Sequence, residues 1–295
     1  MTIIAGFKCE GGIVVCADTQ ETLSIGNVPL SKRKVPKLRF EQVLGSKRNL
    51  SGLPDTALAV CGAGYGPFID KLADKVWEAV QIAPSFADAC DSAEQTVKDL
   101  YDEYGKIYQS GSCPEVELIY GIKAEGASRL FQASGPVVNE KHGYSACGSG
   151  SYMADFLASS MYRQELSLTQ CVILAAYILF QTKEYADGCG GESHIAVLRD
   201  QDTSGTIDSN RIEIITELLD TFHDQMGNLL LLSVDLGIKQ DEFAKNMNVL
   251  SDLLRTFRES AQSKIKDWDS WWARIFPNIE LDELGIIVPK KKLKE

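Results

Sequence analysis

Residues 2–18 read Thr2-Ile3-Ile4-Ala5-Gly6-Phe7-Lys8-Cys9-Glu10-Gly11-Gly12-Ile13-Val14-Val15-Cys16-Ala17-Asp18. Two β-rich runs flank Gly11-Gly12, and a glycine pair accepts the positive φ that a tight turn needs. The pattern predicts a hairpin, with Thr2 opening one strand and Asp18 closing its partner. A hairpin returns the end of its second strand to the start of its first, so Asp18 comes back beside Thr2. Residues 34–40 alternate as a third strand, which can bring Lys34 to the same end.

Beyond this opening, an apolar run over 56–61 ends in Gly62-Ala63-Gly64. Two helices follow, marked by Phe68, Leu72, Val76 and Val80, and then by Phe86, Cys90, Val97 and Tyr104. Residues 115–134 return to strand character. Gly148-Ser149-Gly150 leads into a helix over about 151–163, and Ser167 with Gln170 forms a capping box for the next. Strands are expected from Ser193 to Leu198 and near Arg211 to Ile215.

Helices and strands thus come in blocks, which disfavours a parallel sheet. Two sheets face to face, with a helix pair on each outer side, would bury every apolar face. From about 216 the chain reads as helical, and Trp268, Trp271 and Trp272 suit packing. The expected organisation is a core of 1–215 and a C-terminal helical extension of 216–295 packed on it.

Composition narrows the function classes. The 295 residues are 44% hydrophobic and 24% charged, a globular balance. The net charge is −11, and the only dense basic stretches are Lys32-Arg33-Lys34 and Lys290-Lys291-Lys292. That is not the clustered footprint of a nucleic-acid binder. No apolar run approaches the roughly 20 residues of a membrane helix. Lys8, Glu10 and Asp18 interrupt the opening, unlike a secretory signal, so a cytoplasmic location is expected. Eight cysteines without a C-x-x-C pair, and three scattered histidines, predict buried reduced thiols and no metal site.

A threonine hydroxyl is a poor nucleophile without a base. Once Met1 is removed, Thr2 can supply its own: a free α-amine has a pKa of roughly 7.7–8.0 before perturbation. A lysine nearby disfavours protonation of that amine and supports a developing alkoxide. Asp18 can hold Lys34 charged and oriented. Taken singly, Thr2 is an ordinary strand start, and Asp18 and Lys34 read as turn chemistry and a solvated strand end.

The segment Thr2 to Leu23 as a whole resembles the opening of proteasome β subunits, and is especially similar to HslV, the bacterial peptidase of that family. Lys34-Val35-Pro36-Lys37-Leu38 falls on the family's Lys-Val-x-x-Leu element. The resemblance implies a four-layer αββα Ntn-hydrolase sandwich of the α+β class and a threonine endopeptidase. Its nucleophile maps to Thr2, its acid to Asp18 and its lysine to Lys34. Gly148-Ser149-Gly150 matches the family's Gly-Ser-Gly, which sets Ser149 beside the nucleophile. Gly62 or Ala63 maps to the oxyanion-hole amide, a donor fixed before charge develops. Gln20 and Thr22 map to the loop that contacts the substrate backbone. No cofactor is implied. The implied partners are unfolded protein or peptide substrates, a homo-oligomeric ring and a separate ATP-dependent unfoldase.

The sequence departs from the family at Ala186 and Cys189, which fall where an Asp-x-x-Ser pair is usual, and in the helical extension. Competing motifs are weak. Gly62-Ala63-Gly64-Tyr65-Gly66 lacks the third glycine of a dinucleotide loop, with Pro67 in its place, and no acid-ended strand follows. Cys189 with His194 reads as a turn beside a strand. A catalytically silent structural subunit and a small-molecule Ntn amidohydrolase are the alternative functions.

Overall fold

The hairpin joins β1 (Ile4–Cys9) to β2 (Gly12–Asp18), with Ile4 opposite Ala17 and Cys9 opposite Gly12. All of β2 is buried, as its unbroken Ile13-Val14-Val15-Cys16 run requires. The computed structural model describes residues 2–25, 28–43, 53, 55–107, 113–201, 204–207, 209–234, 237, 239–249, 251–252, 254–256, 259, 279–281 and 287–289.

The expected third strand over 34–40 is two strands. β3 (Gln20–Ile25) and β4 (Val28–Lys34) pair with each other, placing Gln20 opposite Lys34. β5 (Leu38–Gln42) belongs to a different sheet and pairs with β6 (Ala57–Gly64). The break falls on Val35-Pro36-Lys37 because Pro36 has no N–H to give a ladder.

The helices α1 (Gly66–Val80) and α2 (Phe86–Ile107) follow, then β7 (Val116–Ala124), β8 (Ala127–Ser134), β9 (Val137–Lys141) and β10 (Tyr144–Cys147). After them come α3 (Ser151–Met161), α4 (Leu168–Tyr185), β11 (Ser193–Arg199) and β12 (Gly205–Ile207). The capping box at α4 is present: Ser167 Oγ accepts from the Gln170 N–H, and the Ser167 N–H donates to Gln170 Oε1 at 2.9 Å.

Two five-stranded antiparallel sheets result, ordered β10-β1-β2-β11-β12 and β5-β6-β7-β8-β9. One apolar cluster draws on both, with Ile4, Val15 and Leu198 from the first and Cys61, Ile119 and Leu130 from the second. A second cluster joins the other face of β6–β8 to α1 and α2, through Leu72, Val76, Val97 and Tyr120. On the first sheet, α4 packs against β2, β11 and β1, and α3 against β10. Gly121 permits close approach of the sheets, since a Cβ there would lie 2.7 Å from Leu198 Cδ1. The architecture is a mixed α/β fold of antiparallel sheets and helices.

The chain divides into two compact units, 1–209 and 210–295. The second contains all but the first residue of α5 (Ser209–Val234), a helical stretch at 240–249, and a hairpin of β13 (Ile279–Leu281) and β14 (Ile287–Pro289). The strand expected near Arg211 to Ile215 is instead the first part of α5, where Ile212 and Leu219 recur at helical spacing and are buried. Trp268, Trp271, Trp272, Lys290-Lys291-Lys292 and most of the segment from Gln42 to Asp55 lie outside the described residues.

Candidate active site around Thr2

The start of β1 is fixed from three directions. The Thr2 nitrogen donates to Ser149 Oγ at 3.0 Å. The Thr2 carbonyl accepts from the Gly150 N–H at 3.1 Å. The Ile3 N–H donates to Asp18 Oδ1 at 3.2 Å. Ser149 reaches Thr2 because β10 runs antiparallel to β1 and delivers Gly148 directly after Cys147, the partner of Ile4. Gly148 has a φ of +86° and lies against Thr2: a Cβ on it would sit 2.4 Å from the Thr2 carbonyl oxygen.

Asp18 is wholly buried and fully engaged. Besides the Ile3 N–H, its Oδ1 accepts from Lys37 Nζ at 2.6 Å, and its Oδ2 accepts from the Gly190 N–H at 2.9 Å. Lys37 Nζ also donates to the Gln20 carbonyl. A buried carboxylate is tolerable only when paired and hydrogen-bonded in this way.

The lysine beside Asp18 is therefore Lys37, and the placement of Lys34 there is corrected. Lys34 ends β4 on an exposed edge, and its ammonium pairs with Glu192 at 2.9 Å. That contact holds the Glu192 carboxyl below its ordinary range. The cause is the strand break. With β4 ended at Lys34, the Val35 N–H donates to the Thr19 carbonyl at 2.7 Å, and the chain turns so that Lys37 points inward. Pro36 carried the signal for this break in the sequence.

Two cavities meet at Thr2. One, of about 860 Å³, is bordered by Ala63, Gly64, Gly148, Ser149 and Glu117. The other, of about 250 Å³, is bordered by Lys37, Pro36, Gly62, Gly64 and Ile69. Glu21 borders both and is ion-paired with Arg33. Ala63 thus borders the larger of the two spaces at Thr2 and Gly62 the smaller. Gln20 lies behind, with its N–H donating to the Gly190 carbonyl at 3.0 Å. The backbone of Thr22 pairs with that of Lys32.

Cys189 adjoins the same centre. Its thiol is buried, hydrogen-bonded to Ser149 and pushed up to about 11, by burial first and by the Asp18 charge next. It is a neutral thiol at physiological pH. His194 is not part of the centre: it pairs with Glu192 at 3.9 Å, and burial lowers its pKa. Among the described residues no group of His, Cys, Asp or Glu could hold a metal ion, and no helix is long and apolar enough to cross a membrane. Lys37, Glu117 and Glu192 were missed by sequence reasoning. Only Lys37 had a signal, through Pro36.

No protein-family model and no curated protein sequence matches the chain. Its fold is similar to solved structures. An Anbu (Gly-1) mutant from Hyphomicrobium sp. strain MC1 matches with a TM-score of 0.60 at 16% identity, over 78% of this chain and 99% of that one. Anbu (ancestral beta-subunit) from Yersinia bercovieri matches with a TM-score of 0.60 at 15% identity, over 81% and 100%. The Anbu chain in a helical assembly of the Anbu complex from Pseudomonas aeruginosa matches with a TM-score of 0.59 at 13% identity, over 77% and 96%. At these identities the likeness is one of fold. The assignment to proteasome β subunits and HslV is corrected by it: these neighbours are Anbu proteins, proteasome-like but a distinct family.

Proposed function

We propose that the chain is an N-terminal-nucleophile hydrolase of the four-layer αββα class that cleaves peptide bonds, with Thr2 as nucleophile after loss of Met1. The observation that carries this reading is the contact of the Thr2 nitrogen with Ser149 Oγ, beside an Asp18–Lys37 pair that also holds Ile3. With Met1 gone that nitrogen is an α-amine, and Ser149 holds it in place.

In the proposed reaction Thr2 Oγ1 attacks the scissile carbonyl carbon while the hydroxyl proton passes to the α-amine, directly or through one water. The tetrahedral oxyanion is received by the backbone N–H of Gly62 or Ala63. Collapse breaks the C–N bond, and the ammonium returns its proton to the leaving amine. Water then hydrolyses the threonine ester by the same base. Lys37, fixed by Asp18, favours the neutral amine and stabilises the alkoxide. This is the role first given to Lys34. Gln20 and Thr22 would hold the substrate backbone. The substrates are unfolded proteins or peptides fed by a separate ATP-dependent unfoldase. The chain would work within a homo-oligomer, as an Anbu complex forms a helical assembly.

The test combines intact mass with peptide hydrolysis. The purified chain should lack the mass of Met1. Thr2→Ala should remain folded and lose hydrolysis, and Thr2→Ser should keep part of it. Undiminished hydrolysis by folded Thr2→Ala would sink the proposal. A demethionylated, assembled chain that cleaves nothing would leave the silent-subunit reading in its place.

A further inference from the structure

We infer that Glu117 selects substrates carrying a cationic side chain, lysine or arginine, next to the bond presented to Thr2. The inference rests on the peptidase reading for the nature of the substrate. Glu117 lies on β7 opposite Ala63 of β6. Its Oε2 accepts from the Gly148 N–H at 2.9 Å, so the carboxylate is oriented one residue from Ser149. It borders the larger cavity together with Thr2 and Ser149.

The charges around that cavity run one way. Asp102 and Glu115 stand at its exposed margin, and none of its described lining residues is Lys, Arg or His. Glu21 is already neutralised by Arg33. Glu117 has no ion pair among the described residues and is only half-buried, with one oxygen taken by the Gly148 amide. A cleft lined by one sign of charge between low-dielectric walls concentrates the opposite sign. At about 860 Å³ the cavity has room for a long side chain. The smaller cavity carries both signs: Lys37 and Arg39 border it together with Glu21 and Asp70, and the two cations are already paired, Lys37 with Asp18 and Arg39 with Glu41 and Asp74. The two sides of Thr2 are therefore electrostatically unequal, and a peptide crossing it would place its cationic residue on the Glu117 side.

The test is peptide binding to the assembled full chain carrying Thr2→Ala, which separates recognition from turnover. Three blocked pentapeptides, identical except for a central lysine, norleucine or glutamate, are titrated by calorimetry. The lysine peptide should bind about tenfold or more tighter than the norleucine peptide, the scale of a charge-assisted hydrogen bond. Adding Glu117→Gln should abolish that ratio; glutamine can still accept from the Gly148 N–H, so the loop is kept. Adding Glu117→Lys should make the glutamate peptide the preferred one. Equal or undetectable binding of the lysine and norleucine peptides, or a ratio unmoved by Glu117→Gln, overturns the inference. Hydrolysis by the Thr2 chain is scored separately: a lysine preference in binding without cleavage of any peptide removes the peptidase reading and leaves the cation preference standing.

Discussion

Lys37 Nζ lies 2.6 Å from Asp18 Oδ1, and the side chains of this pair are 9% and 0% exposed. A lysine this enclosed is fixed in place by that carboxylate together with the Gln20 carbonyl. Lys37→Ala should lower peptide turnover by about 10²–10³, the usual effect of losing a preorganised charge. Lys34→Ala should change it by less than about threefold, since an exposed ion pair contributes little. Steady-state rates of the two variants, measured side by side, decide the point. The reverse ranking would return the role to Lys34.

Gly148 should not tolerate a side chain. Its φ of +86° disfavours any L residue, and an added Cβ would meet the Thr2 carbonyl oxygen at 2.4 Å. Gly148→Ala must displace Thr2 relative to Ser149. Turnover should fall about 10²-fold, as a misplacement near 1 Å can do, and thermal stability should fall by about 1–3 kcal/mol. Normal rates in this variant would show that the loop relaxes without moving Thr2.

His194 makes stability pH-dependent in a definite direction. Burial lowers its pKa from 6.5, against the smaller opposing pull of Glu192. The unfolded chain therefore binds the proton more readily than the folded one. The contribution is complete above pH 6.5 and is lost as pH falls below it toward the folded value. The melting temperature of the wild type, minus that of His194→Gln, should shrink between pH 7.5 and pH 5.5. A widening gap would contradict the burial argument.

Thiol labelling should single out one cysteine of the eight. Cys113 is partly exposed and the other seven are buried. Iodoacetamide at neutral pH should modify Cys113 within minutes and the rest only after denaturation, as read by peptide mass mapping. Rapid modification of Cys189 would mean that the region beside Ser149 opens.

Much of the fold follows from local pattern. The Gly11-Gly12 turn sets the β1–β2 register, and Ser167 with Gln170 marks the start of α4 to the residue. The approach of Thr2 and Asp18 was legible because hairpin geometry and a glycine turn determine it nearly alone, whereas Ser149 was set beside Thr2 only by the resemblance of Gly148-Ser149-Gly150 to the family's Gly-Ser-Gly. Lys37 was hidden by alternation that ran through Pro36 as if the proline could join a ladder. Arg211 to Ile215 looked like a strand because its β-branched isoleucines carry that propensity, yet the segment is helical. Glu117 left no trace, since its position depends on a pairing between β6 and β7 across more than fifty residues of chain.

The Asp18 carboxylate gathers the start of β1, the end of β2, the 35–37 crossing and the turn before β11 into one knot. Its two clamped amides, Ile3 and Gly190, then share a fate in deuterium exchange. Neither can be released singly without stranding a buried anion, so subglobal opening should bypass both. They should exchange with the slowest class of amides, alongside the centre of β2. Chemical machinery is often drawn from a protein's loosest parts; the residues proposed for it here are instead tied to Asp18 and Ile3, both wholly buried.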